Sequence, residues 1–259
     1  SAESRISSAQ GPGPCRDHQS HYDPDVQTPP RSPLAQTGRP GPCWLDIPLN
    51  VQGAAIETDD LIGYNYDEYA SNLPLAPNDE MVSLIIGRIK SAKRPVFYAG
   101  NGIRISGGYK SFVSVLEKLN IPVVTAWNSI DAIPTDHPLY VGRGGIMGDR
   151  AGNFAVQNSD LVLSVGCRLS IRQVGYNYQT WARAAYTIVV DIDREELKKP
   201  TLHVDLPVHA DAKVLLERLD NKLSNDILFD GVDWLNQCRN WKEKYPVVLA
   251  KHYADHTGF

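Results

Sequence analysis

From residue 78 onward, apolar runs rich in valine and isoleucine alternate with amphipathic segments. Short apolar runs bounded by glycine, proline or polar residues predict buried strands. Their ranges are 95–100 (PVFYAG), 121–126 (IPVVTA), 161–166 (LVLSVG), 187–192 (TIVVDI) and 203–208 (HVDLPV).

Between these runs, apolar residues recur at the three- and four-residue spacing of a helix face. Asn78 is a predicted N-cap, and Asp193 with Glu196 forms a predicted capping box. A further helix is predicted over 150–158. The apolar positions of the other predicted helices are Met81, Leu84, Ile85 and Ile89, then Phe112, Val115, Leu116 and Leu119, then Ala212, Leu215, Leu216 and Leu219.

This alternation predicts an α/β domain whose parallel sheet is covered by helices on both faces. In such sheets, ligands bind beyond the carboxyl ends of the strands, where the strand order reverses. The glycine-rich segments of this chain follow predicted strands, so a ligand site is expected at that edge.

The first third of the sequence differs in composition. Residues 1–38 are rich in Ser, Pro, Gln and Gly without an apolar period, which predicts a disordered, non-homologous tail. The abrupt change at Gly38 is typical of a frame shift or a misplaced start. The strand Cys43–Ile47 is expected to lack a pairing partner in this chain, and 55–77 is a predicted polar linker.

Charge and cysteine usage narrow the classes of partner. The formal charge of −4 comes from interspersed signs, so no nucleic-acid face and no membrane patch are expected. No apolar window reaches the roughly 18–20 residues of a membrane span. The four cysteines are scattered without metal-ligand spacing, which favours a reducing cytoplasm.

Gly100–Gly102 (GNG) directly follows a predicted strand, where glycine lets the backbone approach a phosphate at a helix N-terminus. Ile105 stands where the dinucleotide fingerprint needs its third glycine, and the next strand ends in Thr125 rather than near an acidic residue. The segment is therefore either a nucleotide-binding loop or a tight turn.

The segment 142–148 (GRGGIMG) precedes the helix predicted at 150–158 and has Arg143 and Arg150 close by. Either its loop holds an anion, or Asp149 caps the helix and the glycines only permit the turn.

Asp191 and Asp193 flank the end of a strand. Paired carboxylates suit acid–base chemistry, but a helix cap or hydrogen bonds to a ribose or to the backbone are favoured. The aromatic segment 175–185 is expected to pack against a neighbouring domain or to stack on a ring. The histidines lie in loops or tails without a nearby nucleophile, so no catalytic residue and no metal ligand is predicted.

Several motifs resemble thiamine-diphosphate enzymes of the acetolactate synthase group. The segment 38–52 (GRPGPCWLDIPLNVQ) is similar to the end of their pyrimidine-binding domain. The segments 94–107, 121–170 and 189–219 resemble their middle domain in order and spacing, and 234–246 (WLNQCRNWKEKYP) is similar to the helical link that follows it. The resemblance covers about residues 39–222.

This resemblance implies that 78–222 form a six-stranded parallel sheet of Rossmann-like type, which holds two cofactor-binding domains together and carries no catalytic group. Residues 39–54 would be the terminal strand of a pyrimidine-binding domain, and 223–259 a linker towards a diphosphate-binding domain. Some members bind FAD or ADP here. The candidate nucleotide-binding residues are Gly100, Gly102, Gly166, Arg168, Asp191 and Asp193 by this resemblance, with Asn101, Thr125 and Gly145 from the neighbouring strand ends and glycine segment.

The sequence also departs from the family pattern. The family binds thiamine diphosphate and magnesium with a Gly-Asp-Gly motif and a downstream asparagine, and it activates the cofactor with a glutamate of the pyrimidine-binding domain. The 259 residues contain no Gly-Asp-Gly, and 1–38 replace the segment expected to hold the glutamate. Trp127 stands where flavin-binding members have a glycine-containing turn, and Leu169-Ser170 replaces a Phe-Asp pair.

The resemblance therefore implies a fragment of an acetolactate synthase-like carboligase (transferase) or lyase acting on 2-keto acids, inactive alone. Its full-length parent is expected to be a cytoplasmic homodimer or homotetramer with thiamine diphosphate and magnesium. Two alternatives remain open. One is a stand-alone FAD- or ADP-binding module, and the other is a non-catalytic scaffold subunit that pairs with a catalytic homologue.

Overall fold

The computed structural model describes residues 5–7, 18–19, 35, 38–42, 44–55, 57, 59, 73–224 and 227–253. Contacts within the chain divide it into two units, Ser1–Pro74 and Leu75–Phe259.

The first unit contains a small antiparallel sheet in the order β2-β1-β3. Its strands are β1 Arg5–Ser7, β2 His18–Gln19 and β3 Trp44–Leu45, and the short helix α1 Leu49–Gln52 follows. β3 pairs with β1, so the expectation that this strand lacks a partner is wrong. β1 and β2 lie within the predicted tail. Their strands pair through backbone hydrogen bonds, which do not require an apolar sequence pattern.

The second unit contains a six-stranded, all-parallel sheet in the order β6-β5-β4-β7-β8-β9. Its strands are β4 Pro95–Ala99, β5 Val123–Thr125, β6 Tyr140–Arg143, β7 Leu161–Val165, β8 Tyr186–Asp191 and β9 Leu206–His209. Its helices are α2 Asp79–Ser91, α3 Gly102–Ile105, α4 Tyr109–Leu119, α5 Arg150–Asn158, α6 Ile171–Val174, α7 Arg194–Lys198, α8 Ala212–Lys222 and α9 Val232–Lys244, with 3₁₀ turns at Tyr178–Thr180 and Ala250–Tyr253.

Helices cover both faces of this sheet. The chain moves to one side from β4 through α4 to β5, and back across the sheet from β6 through α5 to β7. Since parallel crossovers are right-handed, α4 and α5 lie on opposite faces. α8 packs beside α4 and α2, while α9 packs on α5. The predicted α/β class with a six-stranded parallel sheet is confirmed.

The helix periodicity is confirmed in α4, where the four predicted apolar positions are buried. In α2 the Asn78 side chain accepts the Met81 amide at 2.9 Å, as the predicted N-cap should. The apolar stripe of α2 is shifted, however. Val82 is buried, whereas Leu84 is exposed. The buried positions are 82, 85 and 89, which lie on one helix face at spacings of three and four.

One element differs from the sequence interpretation. β6 is a short strand inside a segment taken as loop, whereas α9 lies where the sequence resembles a helical link. Trp234 of α9 is buried, and its indole N–H donates to the Pro95 carbonyl at 3.0 Å. Trp241 meets the edge of Phe154 in α5 at 5.9 Å. α9 is thus part of the packed unit.

Candidate functional site

The candidate site lies where the strand order reverses, between β4 and β7. These strands are direct neighbours, with Ala99 opposite Val165 at their carboxyl ends. Sheets of this class open a ligand crevice at such a point. The turns that follow the two strands contain Gly100–Gly102 and Gly166, so the structure brings these predicted residues together.

The two turns pack backbone against backbone. A β-carbon on Gly100 would lie 2.1 Å from the Gly166 carbonyl oxygen, and one on Gly166 would lie 2.8 Å from the α-carbon of Gly102. The Gly102 amide donates to the Gly166 carbonyl at 2.9 Å. Glycine is needed here because the two turns approach closely. These contacts support the tight-turn alternative, and α3 has only four residues over which to build a helix dipole.

The turn after β7 has left-handed backbone at three of its four residues. φ is 60° at Gly166, 57° at Arg168 and 48° at Leu169. The Leu169 amide donates to the Cys167 carbonyl at 2.6 Å, which closes a three-residue turn around Arg168. Such turns with positive φ at the centre are rare and strained. For a residue other than glycine, the left-handed conformation costs roughly 1–2 kcal/mol.

Ionic contacts from the next strand connection hold this strained turn. The Lys199 ammonium donates to the carbonyl oxygens of Arg168 and Leu169, the latter at 3.0 Å. Glu196 accepts from Nε of Arg168 at 2.5 Å and from Lys199 at 3.3 Å. The Lys199 and Glu196 side chains are only 19% and 13% exposed, so solvent screens their contacts less than it screens surface pairs.

The acidic pair after β8 binds backbone amides. Asp191 is buried and accepts the Asp193 amide at 2.9 Å. Asp193 caps α7 by accepting the Glu195 amide at 2.9 Å. Glu196, the other member of the predicted capping box, binds Arg168. These contacts support the structural interpretation of Asp191 and Asp193 rather than acid–base chemistry.

The second glycine segment forms a loop whose backbone is bound within the protein. Asn153 of α5 accepts the Gly145 amide and donates to the Gly145 carbonyl, each at 2.9 Å. The Ile146 amide donates to the Arg172 carbonyl at 2.9 Å. Because these donors are occupied, the loop fits the turn alternative better than an anion site.

Asp149 does not cap α5 through its side chain, so that part of the sequence interpretation is wrong. Its carboxylate turns back to Arg143, accepting from the backbone N–H at 2.9 Å and from Nη2 at 2.6 Å. Hydrogen bonding to Asp149 raises the pKa of the Arg143 guanidinium. Gly142 permits this contact, since a β-carbon there would lie 2.9 Å from the carboxylate. Arg150 lies over the Tyr245 ring, 4.4 Å from its centre.

Tyr98 of β4 lies under the second glycine segment. A β-carbon on Gly144 would be 2.5 Å from the Tyr98 hydroxyl oxygen, which has no hydrogen-bond partner in the described part of the chain. Burial, with a smaller effect from Cys167, raises the pKa of Tyr98 well above its usual value. Trp181, from the aromatic segment 175–185, contacts the Tyr98 ring edge-on, with 6.1 Å between the ring centres. This residue therefore packs within the Leu75–Phe259 unit.

The remaining candidates lie around the same edge. Thr125 ends β5 and is buried, and Asn101 lies between the two glycines of the first turn. Trp127 is exposed just beyond β5, and the Arg172 guanidinium lies over its ring at 4.9 Å. The structure therefore places all nine predicted nucleotide-binding residues at the carboxyl edge of the sheet. Most of the backbone hydrogen bonds described for them are made with other groups of the protein.

A cavity of about 1030 Å³ lies elsewhere, near the amino ends of β4 and β7. Phe229 and Trp234 line it, together with the charged residues Arg94, Arg183 and Asp230. It contains none of the predicted nucleotide-binding residues.

Within the described ranges, no group of three or more His, Cys, Asp or Glu residues is placed to hold a metal ion. His203 contacts Asp205 at 3.1 Å, and His209 contacts the Ile192 carbonyl at 3.0 Å. Burial raises the pKa of the Cys167 and Cys238 thiols to about 12. Among the residues the structure describes, no helix is both long and apolar enough to cross a membrane.

Sequence reasoning missed the roles of Lys199 and Asn153. Lys199 follows Glu196 by three residues, a spacing that places both side chains on one side of a helical turn. That spacing could have indicated an ionic pair between Glu196 and Lys199. That Lys199 also binds the carbonyls of the turn after β7 depends on the fold. Asn153 occupies the first turn of a predicted helix, where amides often bind a nearby loop.

The fold and the strand order define a doubly wound α/β domain of Rossmann-like type. Residues 82–219, more than half of the chain, match the family model described as the thiamine pyrophosphate enzyme central domain. The chain belongs to this central-domain family.

Similar proteins are acetolactate synthases. The chain is 35% identical over 198 residues to a probable acetolactate synthase large subunit from Methanococcus aeolicus, which covers 73% of this chain and 32% of that protein. It is 32% identical over 222 residues to the acetolactate synthase large subunit of Lactococcus lactis, covering 86% and 38%. The chloroplastic acetolactate synthase of Arabidopsis thaliana is 31% identical over 219 residues, covering 83% and 32%. The chain spans about a third of the length of these relatives.

Proposed function

We propose that the Leu75–Phe259 unit is the structural central domain of an acetolactate synthase-like carboligase acting on 2-keto acids. The observation that carries this proposal is the contact between the turns after β4 and β7. It uses the Gly102 amide internally at the point where a catalytic or ligand-binding group would be expected. A domain of this kind supplies shape and spacing, while the chemistry resides in other domains.

The described residues do not fit thiamine diphosphate or its magnesium. The 259 residues contain no Gly-Asp-Gly, and the described ranges offer no cluster of carboxylates for a metal ion. We therefore propose that the cofactor is bound by other domains of the assembly and that this chain alone does not turn over 2-keto acids.

Exchange of domains tests this role. The central domain of the Lactococcus lactis acetolactate synthase large subunit would be replaced by residues 75–253 of this chain. We expect a folded chimera that forms acetolactate from pyruvate, because β4–β9 and their helices supply the same scaffold. A matched chimera with Gly100→Val should not fold, since its side chain would meet the Gly166 carbonyl. A folded but inactive chimera would contradict the proposal.

Partners follow from the same proposal. The relatives from Methanococcus aeolicus and Lactococcus lactis are named as large subunits, which indicates assembly with a further chain. We propose that copies of the full-length parent form a homodimer or homotetramer in the cytoplasm, to which such a further chain binds. Sedimentation of the purified chain and of the chimera would measure the assembly state of each.

A second candidate is binding of FAD or ADP at the carboxyl edge by the nine residues named above. The observation that favours it is their convergence around the strand-order reversal, where such ligands bind. Titration of the wild-type chain with ADP and FAD tests it. Arg168→Met is the appropriate variant because the Arg168 side chain is 39% exposed. Gly102→Val would be ambiguous, because a β-carbon there lies 2.7 Å from the α-carbon of Gly166.

A further inference from the structure

We propose that Lys199 is the positioning residue of the switch-point turn. By binding two successive carbonyl oxygens, it holds Arg168 and Leu169 in the left-handed conformation and thereby keeps Gly166 against Gly102.

Two successive carbonyl groups of the switch-point turn converge on Lys199. The oxygens of Arg168 and Leu169 both lie within hydrogen-bond distance of one Lys199 ammonium. Both residues have positive φ and neither is glycine, so the local backbone disfavours the observed state. If either residue relaxed, its peptide group would rotate and a carbonyl would leave the ammonium. Lys199 therefore stabilises the strained state specifically.

Glu196 binds the side chains of both Arg168 and Lys199. It accepts from Nε of Arg168 at 2.5 Å and lies 3.3 Å from Nζ of Lys199, so it fixes both side chains from α7. A largely shielded ammonium needs such a counter-charge. The side chain of Arg168 is thus held by Glu196 of α7, and its carbonyl by Lys199, which directly follows that helix.

The switch-point turn also contacts the turn that follows β4. Gly166 begins the left-handed turn, and its carbonyl accepts the Gly102 amide at 2.9 Å. The Gly166 amide donates to the Val190 carbonyl of β8 at 3.1 Å. Lys199 follows β8 in the chain, so its contacts tie the ends of β4, β7 and β8 into one arrangement. This inference needs no ligand, and its test is independent of the proposed function.

Amide hydrogen exchange of the ¹⁵N-labelled chain tests the proposal with a matched pair of variants. Lys199→Met removes the ammonium at similar length. Lys198→Met is the control, because its side chain is 61% exposed and contacts Glu195. We expect exchange at the Gly102 and Leu169 amides to rise about tenfold in Lys199→Met and to stay unchanged in Lys198→Met. The Val124 amide, in the neighbouring strand, should not change in either variant.

A second comparison separates positioning from general stability. Arg168→Gly allows the left-handed conformation at no steric cost. In that background, Lys199→Met should raise Gly102 exchange only about threefold, because less strain remains to be held. Lys199→Gln keeps a donor for one carbonyl, so its Gly102 exchange rate should lie between those of wild type and Lys199→Met. It also replaces the methionine variant if that variant does not fold.

Three results would overturn the proposal. The first is equal Gly102 exchange in Lys199→Met and Lys198→Met. The second is a rise that is as large at Val124 as at Gly102, which would indicate general destabilisation. The third is an undiminished effect of Lys199→Met in the Arg168→Gly background, which would mean that Lys199 does not act on the backbone conformation.

Discussion

The two glycine-rich segments of this domain use glycine for different reasons. In the first, Gly100 and Gly102 face the backbone of Gly166, so the space that they leave is filled by main chain. In the second, Gly144 faces the Tyr98 side chain, and Gly145 is bound by the Asn153 amide. Both segments follow strands and resemble phosphate loops in sequence, yet the Gly102 amide of the first and the Gly145 and Ile146 amides of the second are bound within the protein.

The difference concerns which neighbour can move. A backbone neighbour is fixed by the sheet, so added volume at the first segment forces two strands apart. A side-chain neighbour can be altered by mutation, so added volume at Gly144 can be compensated. Gly145 and Gly148 of the same segment face backbone, at 2.4 and 2.6 Å. Glycine clusters at strand ends are therefore required by packing before any ligand is considered.

The largest expected effect is at the first segment. Gly100→Ala places a β-carbon 2.1 Å from the Gly166 carbonyl oxygen. We expect a loss of at least about 3 kcal/mol in the free energy of unfolding, measured in urea. Gly87→Ala in α2 is the control, because its β-carbon meets nothing within 4 Å. It should stabilise the chain by about 0.5–1 kcal/mol. Equal changes in the unfolding free energy for Gly100→Ala and Gly87→Ala would contradict the close backbone contact at Gly100.

Gly144→Ala should cost less, about 2 kcal/mol, because the nearest atom is the Tyr98 hydroxyl oxygen at 2.5 Å. Tyr98→Phe removes that atom and should recover part of the loss in the double variant. Alone, Tyr98→Phe should be neutral or slightly stabilising, since the buried hydroxyl lacks a partner in the described chain. Urea unfolding of the four-member cycle measures the coupling. Strict additivity would show that the two residues do not meet.

Asn153→Ala sharpens the view of the second segment as a loop held by a side chain. It removes both hydrogen bonds to Gly145 and should cost about 1–2 kcal/mol. Asn158→Ala, in the last turn of the same helix, removes one local bond to the Phe154 carbonyl and should cost less than about 0.5 kcal/mol. Thermal unfolding distinguishes the two. A larger loss at Asn158 would contradict this assignment.

The smallest effect concerns Cys167, which lies within the first pair of turns. Burial raises the pKa of its thiol to about 12, so at pH 8 it is almost wholly protonated and shielded. We expect no alkylation of Cys167 by iodoacetamide in the folded chain and full alkylation in urea, measured by mass mapping. Rapid labelling without denaturant would mean that the turns open readily.

Much of the fold was predictable because its signals are local. The apolar period around Phe112 and the cap at Asn78 are properties of neighbouring residues. β6 was missed because four residues that include a glycine carry too little pattern. Asp149 was misassigned because a cap and an ion pair with Arg143 demand the same residue type.

The sequence predicted where the candidate residues lie, but not which contacts their backbone groups make. Glycines after β4 and β7 indicate the edge of a parallel sheet, and the family resemblance named its residues. Whether the Gly102 amide is open or bound depends on the distance between two turns 64 positions apart, Gly102 and Gly166. Lys199 likewise acts on carbonyls in a different connection. Contacts of this kind arise from strand order, which single-residue patterns do not encode.

Our proposal is that this chain supplies the scaffold of a carboligase and not its chemistry. It is tested by incubation of the purified chain with pyruvate, thiamine diphosphate and magnesium, with the Lactococcus lactis enzyme as the positive control. We expect no acetolactate above the protein-free blank, while the control forms product. Steady acetolactate formation that scales with the concentration of the purified chain would contradict it.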